Sequence, residues 1–262
     1  MFIDSHAHLD DPRYDQDREI IIEGLKNDGI ELVINIGADQ ETSISTFKLA
    51  KKYDNIYAVA GVHPHSASEL EEQGLDWLRE LARDEKVVAI GEIGLDFYYD
   101  NSPRDIQRKW FKEQLQLAKE LGLPVVVHTR DAAKETYDIL RDAAADGKLK
   151  VLMHCYSGSA EMAMDYVRLG FYIALGGAVT FKNARISREV ASVVPLENLM
   201  IETDCPYMTP EPFRGKRNEP KLVSLVAEKI AEIKGITVEE LAKATADNAR
   251  SFFRIPYQEG KI

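Results

Sequence analysis

The sequence of 262 residues contains only two cysteines, Cys155 and Cys205. Two thiols cannot form a disulfide framework in a chain of this length, which predicts a reducing compartment. The first residues, MFIDSHAH, lack the basic stretch and apolar run of a signal peptide, and no apolar run in the sequence is long enough to cross a bilayer. We therefore expect a cytoplasmic protein that has no membrane as a partner.

Positive charge is also scarce, with 33 lysines and arginines against 44 aspartates and glutamates and a formal net charge of −11. This balance argues against a protein that coats DNA or an anionic membrane through bulk charge. It still allows an enzyme that acts on nucleic acid, because divalent cations can neutralise the carboxylates of their own site and attract one phosphate locally. The Pro-, Arg- and Gly-rich loop at residues 209–220 is the local exception to the acidic composition.

Low-complexity segments, linkers and short repeats are absent from the sequence, and 45% of its residues are hydrophobic. A chain of this length can bury one full core, so we expect residues 1–262 to form a single α/β domain. Apolar, β-branched runs predict eight strands, at residues 2–6, 31–36, 56–61, 87–92, 123–128, 150–154, 171–175 and 198–203. Because these runs are continuously hydrophobic, we expect the strands to be buried on both faces, as in a parallel sheet covered by helices.

Helical patterns separate these strands. One apolar stripe, which includes Phe111 and Leu115, ends at Gly122, and another, between residues 222 and 233, ends at Gly235. Strands that alternate with helices predict right-handed βαβ units, and eight such units close into a (β/α)8 TIM barrel. An open, doubly wound sheet is the alternative, although no Gly-rich phosphate loop follows the first strand.

The six histidines are confined to four short clusters, each at the end of a predicted strand. The clusters are FIDSHAHLD, GVHPH, PVVVHTRD and VLMHCYSG. Glu92 ends the fourth strand, and Asp204 ends the eighth. Imidazoles and carboxylates at the carboxyl ends of parallel strands are typical of a metal hydrolase built on a barrel. We expect the metal site at that end.

The histidines and carboxylates at the strand ends can be divided between two ions. His6 and His8 lie two residues apart and share a face of the first strand. Glu92 could bridge two cations, because a carboxylate is rarely buried unless it is paired or bound to metal. The alternatives are core histidines that are satisfied by hydrogen bonds and a glutamate that is paired with an arginine. The predicted metal ligands are His6, His8, Glu92, His128, His154 and Asp204.

Three neighbours of these ligands have less certain roles. Glu202 shares a strand face with Asp204, so it either orients the ligands or is an ordinary buried carboxylate. Cys155 and Cys205 each follow a predicted ligand. Because adjacent residues of a strand point to opposite faces, we expect these cysteines to be buried thiols rather than metal ligands.

Other polar residues are candidates for contacts with a substrate. His63 and His65 flank Pro64, and either imidazole could bind a phosphate, a leaving group or a third ion. Tyr98 and Tyr99 could stack on a base or simply pack against neighbours. Guanidinium groups match the geometry of phosphate oxygens, so cationic side chains near the strand ends could bind a phosphate. The alternative is that these side chains are solvated charges on the surface. The cationic candidates for phosphate binding are Arg130, Lys182, Arg214 and Arg217.

These motifs resemble those of the TatD-type metal-dependent deoxyribonucleases. The resemblance covers essentially the whole chain and rests on FIDSHAHLD, GVHPH, GEIGLDFYYD, PVVVHTRDA, HCYSGS, GGAVTFKNA and IETDCPYMTPEPFRGKRNEP. It implies an amidohydrolase-like TIM barrel, the same six metal ligands, and a hydrolase that acts on DNA, often as a 3′–5′ exonuclease or on abasic or oxidised ends. Many amidohydrolases have a carbamylated lysine at the position of Glu92, so the glutamate favours phosphodiester hydrolysis over hydrolysis of cyclic amides.

We therefore predict hydrolysis of a DNA phosphodiester, single-stranded or at a 3′ end, by water activated between two divalent ions. Glu92 and Asp204 are the predicted catalytic residues, with Asp204 accepting the proton of the water. Mixed nitrogen and oxygen ligands favour zinc or manganese, and the resemblance also permits magnesium. No obligate protein partner is evident. The rival functions are an amidase, esterase or lactonase on the same barrel, and a non-catalytic binding protein that carries a metal.

Overall fold

A computed structural model describes residues 1–257 of the chain and shows one sheet of eight parallel strands. Neighbours in the sheet are also neighbours in sequence, in the order β1 to β8. All eight predicted strands are present. Their bounds are β1 (Phe2–Ala7), β2 (Ile30–Ile36), β3 (Ile56–Ala60), β4 (Val87–Asp96), β5 (Val125–Arg130), β6 (Val151–Met153), β7 (Tyr172–Leu175) and β8 (Leu199–Ile201).

Backbone hydrogen bonds join the first strand to the segment after the last and nearly close the sheet into a barrel. The amide of His8 donates to the carbonyl oxygen of Cys205 at 2.8 Å, and the amide of Asp204 donates to the carbonyl oxygen of His6 at 2.9 Å. Ala7 and Cys205 form a parallel bridge. The TIM barrel is therefore confirmed, and the open, doubly wound alternative was wrong. These bonds lie where three of the predicted metal ligands are located.

Ten α-helices alternate with the strands or follow them within residues 1–257. None of them combines the length and the apolar character that crossing a membrane would require. They are α1 (Arg18–Gly24), α2 (Gln40–Lys52), α3 (Leu70–Gln73), α4 (Asp76–Leu81), α5 (Arg104–Leu121), α6 (Ala133–Ala143), α7 (Ala160–Arg168), α8 (Arg185–Val193), α9 (Val223–Lys234) and α10 (Val238–Phe253). Residues 258–262, which the single-domain prediction includes, lie outside the described part of the chain.

The apolar stripes of the sequence face the barrel. Phe111 and Leu115 of α5 are buried, and the helix ends at Gly122, whose φ of 66° is left-handed. α9 also ends at a left-handed glycine, but it begins at Val223, so Leu222 precedes the helix instead of opening its stripe. Phe252 of α10 is fully buried in the cluster of side chains that fills the barrel interior.

Gly94 allows β4 and β5 to approach each other closely beside the metal-ligand candidates. Its φ is +145°, and it pairs with His128 in the sheet. A Cβ atom at residue 94 would lie 1.9 Å from the carbonyl oxygen of His128. Glycine is therefore required here both by the backbone conformation and by the space.

We expect Gly94→Ala to lower the free energy of unfolding by about 3 kcal/mol, because the backbone of β4 or β5 must shift. The measurement is chemical denaturation followed by circular dichroism. Gly170→Ala is the matched control, since Gly170 also has a left-handed φ, +80°, but has no atom within 4 Å of the added Cβ. The control should lose only about 1 kcal/mol from the backbone conformation. Equal losses in the two variants would contradict the steric argument.

Candidate metal centre

The structure brings all six predicted metal ligands together at the carboxyl end of the barrel. Because these residues come from five strands, only the closed barrel places them side by side. No local segment of the chain holds more than two of them. β1 supplies His6, and His8 follows this strand directly. β4 supplies Glu92, β5 supplies His128, and the residues just after β6 and β8 supply His154 and Asp204.

A first set of ligand atoms surrounds the imidazole of His6. Its Nε2 lies 3.3 Å from Nε2 of His8, 3.5 Å from Oε2 of Glu92 and 3.7 Å from Oδ1 of Asp204. The same Asp204 oxygen lies 3.5 Å from Nε2 of His8. Nδ1 of His8 is 3.0 Å from the carbonyl oxygen of Ile36, which fixes the ring with its Nε2 toward the other ligand atoms.

A second set surrounds the other carboxylate oxygen of Glu92. Oε1 lies 3.0 Å from Nδ1 of His128, 3.1 Å from Nε2 of His154 and 3.7 Å from Nε2 of His63. The two oxygens of Glu92 thus face two different groups of nitrogens. This is the arrangement that the sequence predicts for a bridging glutamate, and it also brings His63 to the site.

The charges of this centre depend on one another. Burial alone would raise the pKa of Glu92, but the charge of His154 and the hydrogen bond of His128 hold it well below its usual range. Burial likewise opposes protonation of His8, yet its interaction with Asp204 raises the pKa of His8 to about 9. The pKa of His154 is also raised, by Glu92 and Glu202 against the effect of burial. A cation that binds here must therefore displace protons from imidazoles.

Glu202 lies behind the metal ligands, where it could orient them, which is one of its two predicted roles. Its Oε1 is 3.2 Å from Nδ1 of His154, although the two are not aligned for a hydrogen bond, and it accepts the amide of Cys155 at 2.6 Å. Cys155 and Asp204 both have left-handed φ values, 43° and 55°. Such conformations are costly outside glycine and occur where the surrounding structure enforces them, often at functional sites.

The two cysteines do not join the ligand set. Cys205 is buried and Cys155 is half-buried, both as free thiols. Burial raises the pKa of each thiol, so neither is an anion at neutral pH. No cysteine takes part in the groups of three converging ligand atoms among the described residues.

Asp96 belongs to the site and was missed in the sequence. Its Oδ2 is 3.0 Å from Nε2 of His65 and 3.1 Å from Nε2 of His128, while its Oδ1 accepts the amides of Tyr98 and Tyr99. Asp96 is 1% exposed, and its interactions with the imidazoles lower its pKa although burial would raise it. A signal was present, because residues 92, 94 and 96 share a face of β4. The predicted strand, residues 87–92, ends four residues before Asp96 and therefore does not include it.

Asp4 is a second carboxylate that the sequence reading missed. It is fully buried beneath His6 and accepts the amide of Thr203 at 2.9 Å and its hydroxyl at 2.5 Å. Burial raises the pKa of Asp4 to about 7. Its spacing of two and four residues from His6 and His8 could have revealed it. Asp4 links β1 to the segment that carries Asp204.

An open cleft of about 720 Å³ leads to the ligands, and a smaller cavity of about 360 Å³ adjoins it. Of the predicted substrate contacts, His63, His65 and Arg130 line the cleft, and Arg130 lines the cavity as well. Arg130 has no carboxylate partner among residues 1–257, so its guanidinium group is available to an anion.

The other three predicted phosphate contacts do not line the cleft or the adjoining cavity. Arg217 is held by Asp17 at 2.6 Å and by Glu219 at 3.0 Å, and its guanidinium lies over the ring of Tyr14. The guanidinium of Arg214 lies over the ring of Phe181, and Lys182 follows that ring in sequence. Roles in substrate binding for Lys182, Arg214 and Arg217 stay predictions.

The donor set fits divalent cations. Ligand atoms on a tetrahedral zinc, each at about 2.1 Å from the ion, lie about 3.4 Å from one another. The separations in the first set, 3.3–3.7 Å, match that value. Groups of ligand atoms within 4.8 Å of one another also include His6, His8 and Glu92, and His63, Glu92 and His128. Two such groups share Glu92.

Known proteins share both the sequence and the fold of this chain. A family model described as "TatD related DNase" matches residues 3–254. YabD of Bacillus subtilis, an uncharacterized metal-dependent hydrolase, is 47% identical over 255 residues, which cover 97% of this chain and 100% of YabD. YcfH of Escherichia coli K12, described in the same words, is 39% identical over 258 residues, 97% of this chain and 96% of YcfH.

A solved structure agrees with these relatives. The crystal structure of YjjV, a TatD homologue from E. coli K12, superposes with a TM-score of 0.91 at 32% identity and covers 97% of this chain and 98% of that one. Relatives described as metal-dependent hydrolases match this chain over its whole length, which favours a hydrolase over a non-catalytic binding protein that carries a metal. The converging histidines and carboxylates and the whole-length matches therefore show that this chain belongs to the TatD family of metal-dependent hydrolases.

Proposed function

We propose that the chain hydrolyses phosphodiester bonds of DNA and releases nucleotides from a 3′ end. The observation that carries this proposal is Glu92, whose two oxygens face separate groups of imidazole nitrogens. Two ions about 3.5–4 Å apart are typical of enzymes that transfer or hydrolyse phosphoryl groups. The description of the matching family as a DNase supports DNA as the substrate, and the unpaired guanidinium of Arg130 supports an anionic one.

Two divalent ions would be held by the ligand sets described above. His6, His8, Glu92 and Asp204 suit one ion, and Glu92 shares the other with His128 and His154. The mixed nitrogen and oxygen donors suit zinc or manganese, with magnesium able to support turnover. A third ion near His63 and His65 belongs to the same proposal. When bound, the ions supply positive charge that stabilises the charge growing on the phosphoryl oxygens and makes water acidic near neutral pH.

The chain's own side chains orient the substrate and move the proton. Asp204 is a half-buried carboxylate whose pKa is lowered, by its hydrogen bond with His8 first, although burial would raise it. It is therefore ionised at neutral pH and can accept the proton of the attacking water. Arg130 can bind a non-bridging phosphate oxygen from the rim of the cleft. His63, whose pKa burial lowers to about 3, is neutral and can contact the phosphate without adding charge.

Cytoplasmic location and a single-stranded DNA partner complete the proposal. Both cysteines are free, which agrees with a reducing compartment. A cleft that is open to solvent can admit the end of a strand.

A substrate screen tests the proposal directly. The protein is incubated with EDTA and then with zinc, manganese or magnesium, and is offered 5′-labelled single-stranded DNA, an abasic duplex, and small carboxylic esters and lactones. Metal-dependent shortening of the labelled strand from its 3′ end is the expected result. Hydrolysis of esters or lactones without any cleavage of DNA would favour the rival function on the same barrel.

If Glu92 binds both ions, substitution of Glu92 should remove more ions per chain than substitution of a ligand that binds only one. We expect Glu92→Ala to lose both ions, because its oxygens face both ligand sets, and His8→Ala to lose one. Elemental analysis after gel filtration measures the ions per chain. Glu120→Ala is the control, since Glu120 is a surface glutamate paired with Arg79 and should leave the ion content unchanged. Two ions retained by Glu92→Ala would rule out a bridging role.

Asp204→Asn should retain most of the fold and lose most of the turnover. The amide keeps the size of the side chain but cannot accept the proton, so kcat should fall by about 10²- to 10⁴-fold. Initial rates on single-stranded DNA give kcat, and circular dichroism reports the fold. The exposed Asp165, which pairs with Arg168, provides the control Asp165→Asn. An unchanged kcat for Asp204→Asn would remove this residue from the mechanism.

A further inference from the structure

The two sides of the cleft differ in chemistry. On one side, Tyr99 and Arg130 line the cleft and Tyr98 lies against both of them; we call these three residues the tyrosine wall. The other side carries three carboxylates, Asp10, Asp11 and Glu41, which we call the acidic wall. A polyanion that approaches the ligands meets carboxylates at the acidic wall and the guanidinium of Arg130 at the tyrosine wall, so the tyrosine wall is the more favourable side.

The tyrosine wall exposes aromatic surface beside a cation. Tyr98 is 57% exposed and Tyr99 is 54% exposed, although both are large hydrophobic side chains. Their rings are perpendicular, with centroids 4.9 Å apart. The guanidinium carbon of Arg130 lies 4.0 Å from the centroid of the Tyr98 ring and 4.8 Å from that of Tyr99. The cation thus lies within contact distance of both rings.

The same wall is fixed to the metal centre. The amides of Tyr98 and Tyr99 donate to Oδ1 of Asp96 at 3.0 and 2.9 Å. The other oxygen of that carboxylate contacts His65 and His128. One buried side chain therefore sets the position of the tyrosines relative to a predicted metal ligand. A group stacked on the rings would have a defined distance from the scissile bond.

We propose that the tyrosine wall stacks the bases of the strand that enters the cleft and so forms a base-binding subsite beside the metal ligands. This inference rests on the proposed function and names how its substrate is recognised. Aromatic side chains and arginine planes are the surfaces on which proteins stack splayed bases, whatever the base sequence. A base inside a duplex has both faces covered by its neighbours and cannot use such a surface.

The acidic wall supports the same direction of entry. Asp11 is paired with Arg13, whose guanidinium lies 4.2 Å from the centroid of the Tyr207 ring. That arginine is already neutralised, whereas Arg130 has no carboxylate partner within residues 1–257. Among the described residues that line the cleft, Arg130 is the one lysine or arginine, so the phosphates of an entering strand meet it beside Tyr98 and Tyr99.

The test compares two single strands that carry the same phosphates. One strand has bases throughout, and in the other the last four 3′ nucleotides are replaced by tetrahydrofuran spacers. Both carry a 5′ fluorophore and phosphorothioate linkages at the 3′ end to slow hydrolysis. Fluorescence anisotropy gives Kd for each strand with the metal-loaded protein. The wild-type chain should prefer the base-bearing strand by about 5- to 100-fold, the range expected for one stacked base.

The double variant Tyr98→Leu/Tyr99→Leu should bring the ratio of the two Kd values close to one. Leucine keeps apolar bulk on the wall and removes the aromatic faces. Tyr207→Leu is the matched control, because Tyr207 is 48% exposed at the other side of the same cleft and should keep the wild-type ratio. The single variants Tyr98→Leu and Tyr99→Leu serve if the double variant is unfolded by circular dichroism.

Two results would overturn the inference: a wild-type ratio near one, or a double variant that keeps the wild-type ratio. A loss of preference in Tyr207→Leu that equals the loss in the double variant would also do so. The proposed function is judged separately, with ordinary phosphodiester linkages. If the wild-type protein shortens both strands at equal rates, the nuclease proposal stands and the stacking inference fails. If it cleaves neither strand with any metal, the nuclease proposal fails.

Discussion

The negative charge of a carboxylate that is 4% exposed must be balanced by nearby groups, and the metal-ligand site of this protein is arranged around that requirement. Glu92 is withdrawn from water at the end of the barrel, where burial opposes its charge. Its two oxygens are compensated on both sides by imidazoles that reach it from other strands. The pair of ligand sets follows from one buried anion.

The barrel is what makes this compensation possible. Bonds between the end of β1 and the segment after β8 hold Asp204 next to His6 and His8, although about 200 residues separate them in the chain. Asp4 of β1 joins the same two segments, because it accepts hydrogen bonds from the amide and the hydroxyl of Thr203. Rigid strand ends carry ligands more accurately than loops do, since each side chain is fixed by a hydrogen-bonded neighbour. The catalytic geometry therefore depends on closure as well as on the ligands themselves.

Much of this was readable in the sequence, because the signals were local. Continuous apolar runs marked all eight strands, and the histidines that ended them marked the site. What escaped was set by distant contacts. Arg217 reads as a free cation in a basic loop, yet Asp17, far away in sequence, neutralises it. Asp96 was lost because β4 continues four residues beyond Glu92, past a glycine whose extended, positive φ no sequence pattern reveals.

The distribution of free charge explains how so acidic a chain could hold a nucleic acid. Two arginines outside the lining of the cleft are paired with carboxylates, Arg13 with Asp11 and Arg217 with Asp17. Affinity for DNA that arises from many phosphate contacts requires many free cations. Among the described residues, Arg130 is the one lysine or arginine that lines this cleft. Under the proposed function, recognition must then come from one phosphate at the ions and from the bases beside it. An enzyme built in this way binds the end of a strand more readily than the side of a duplex.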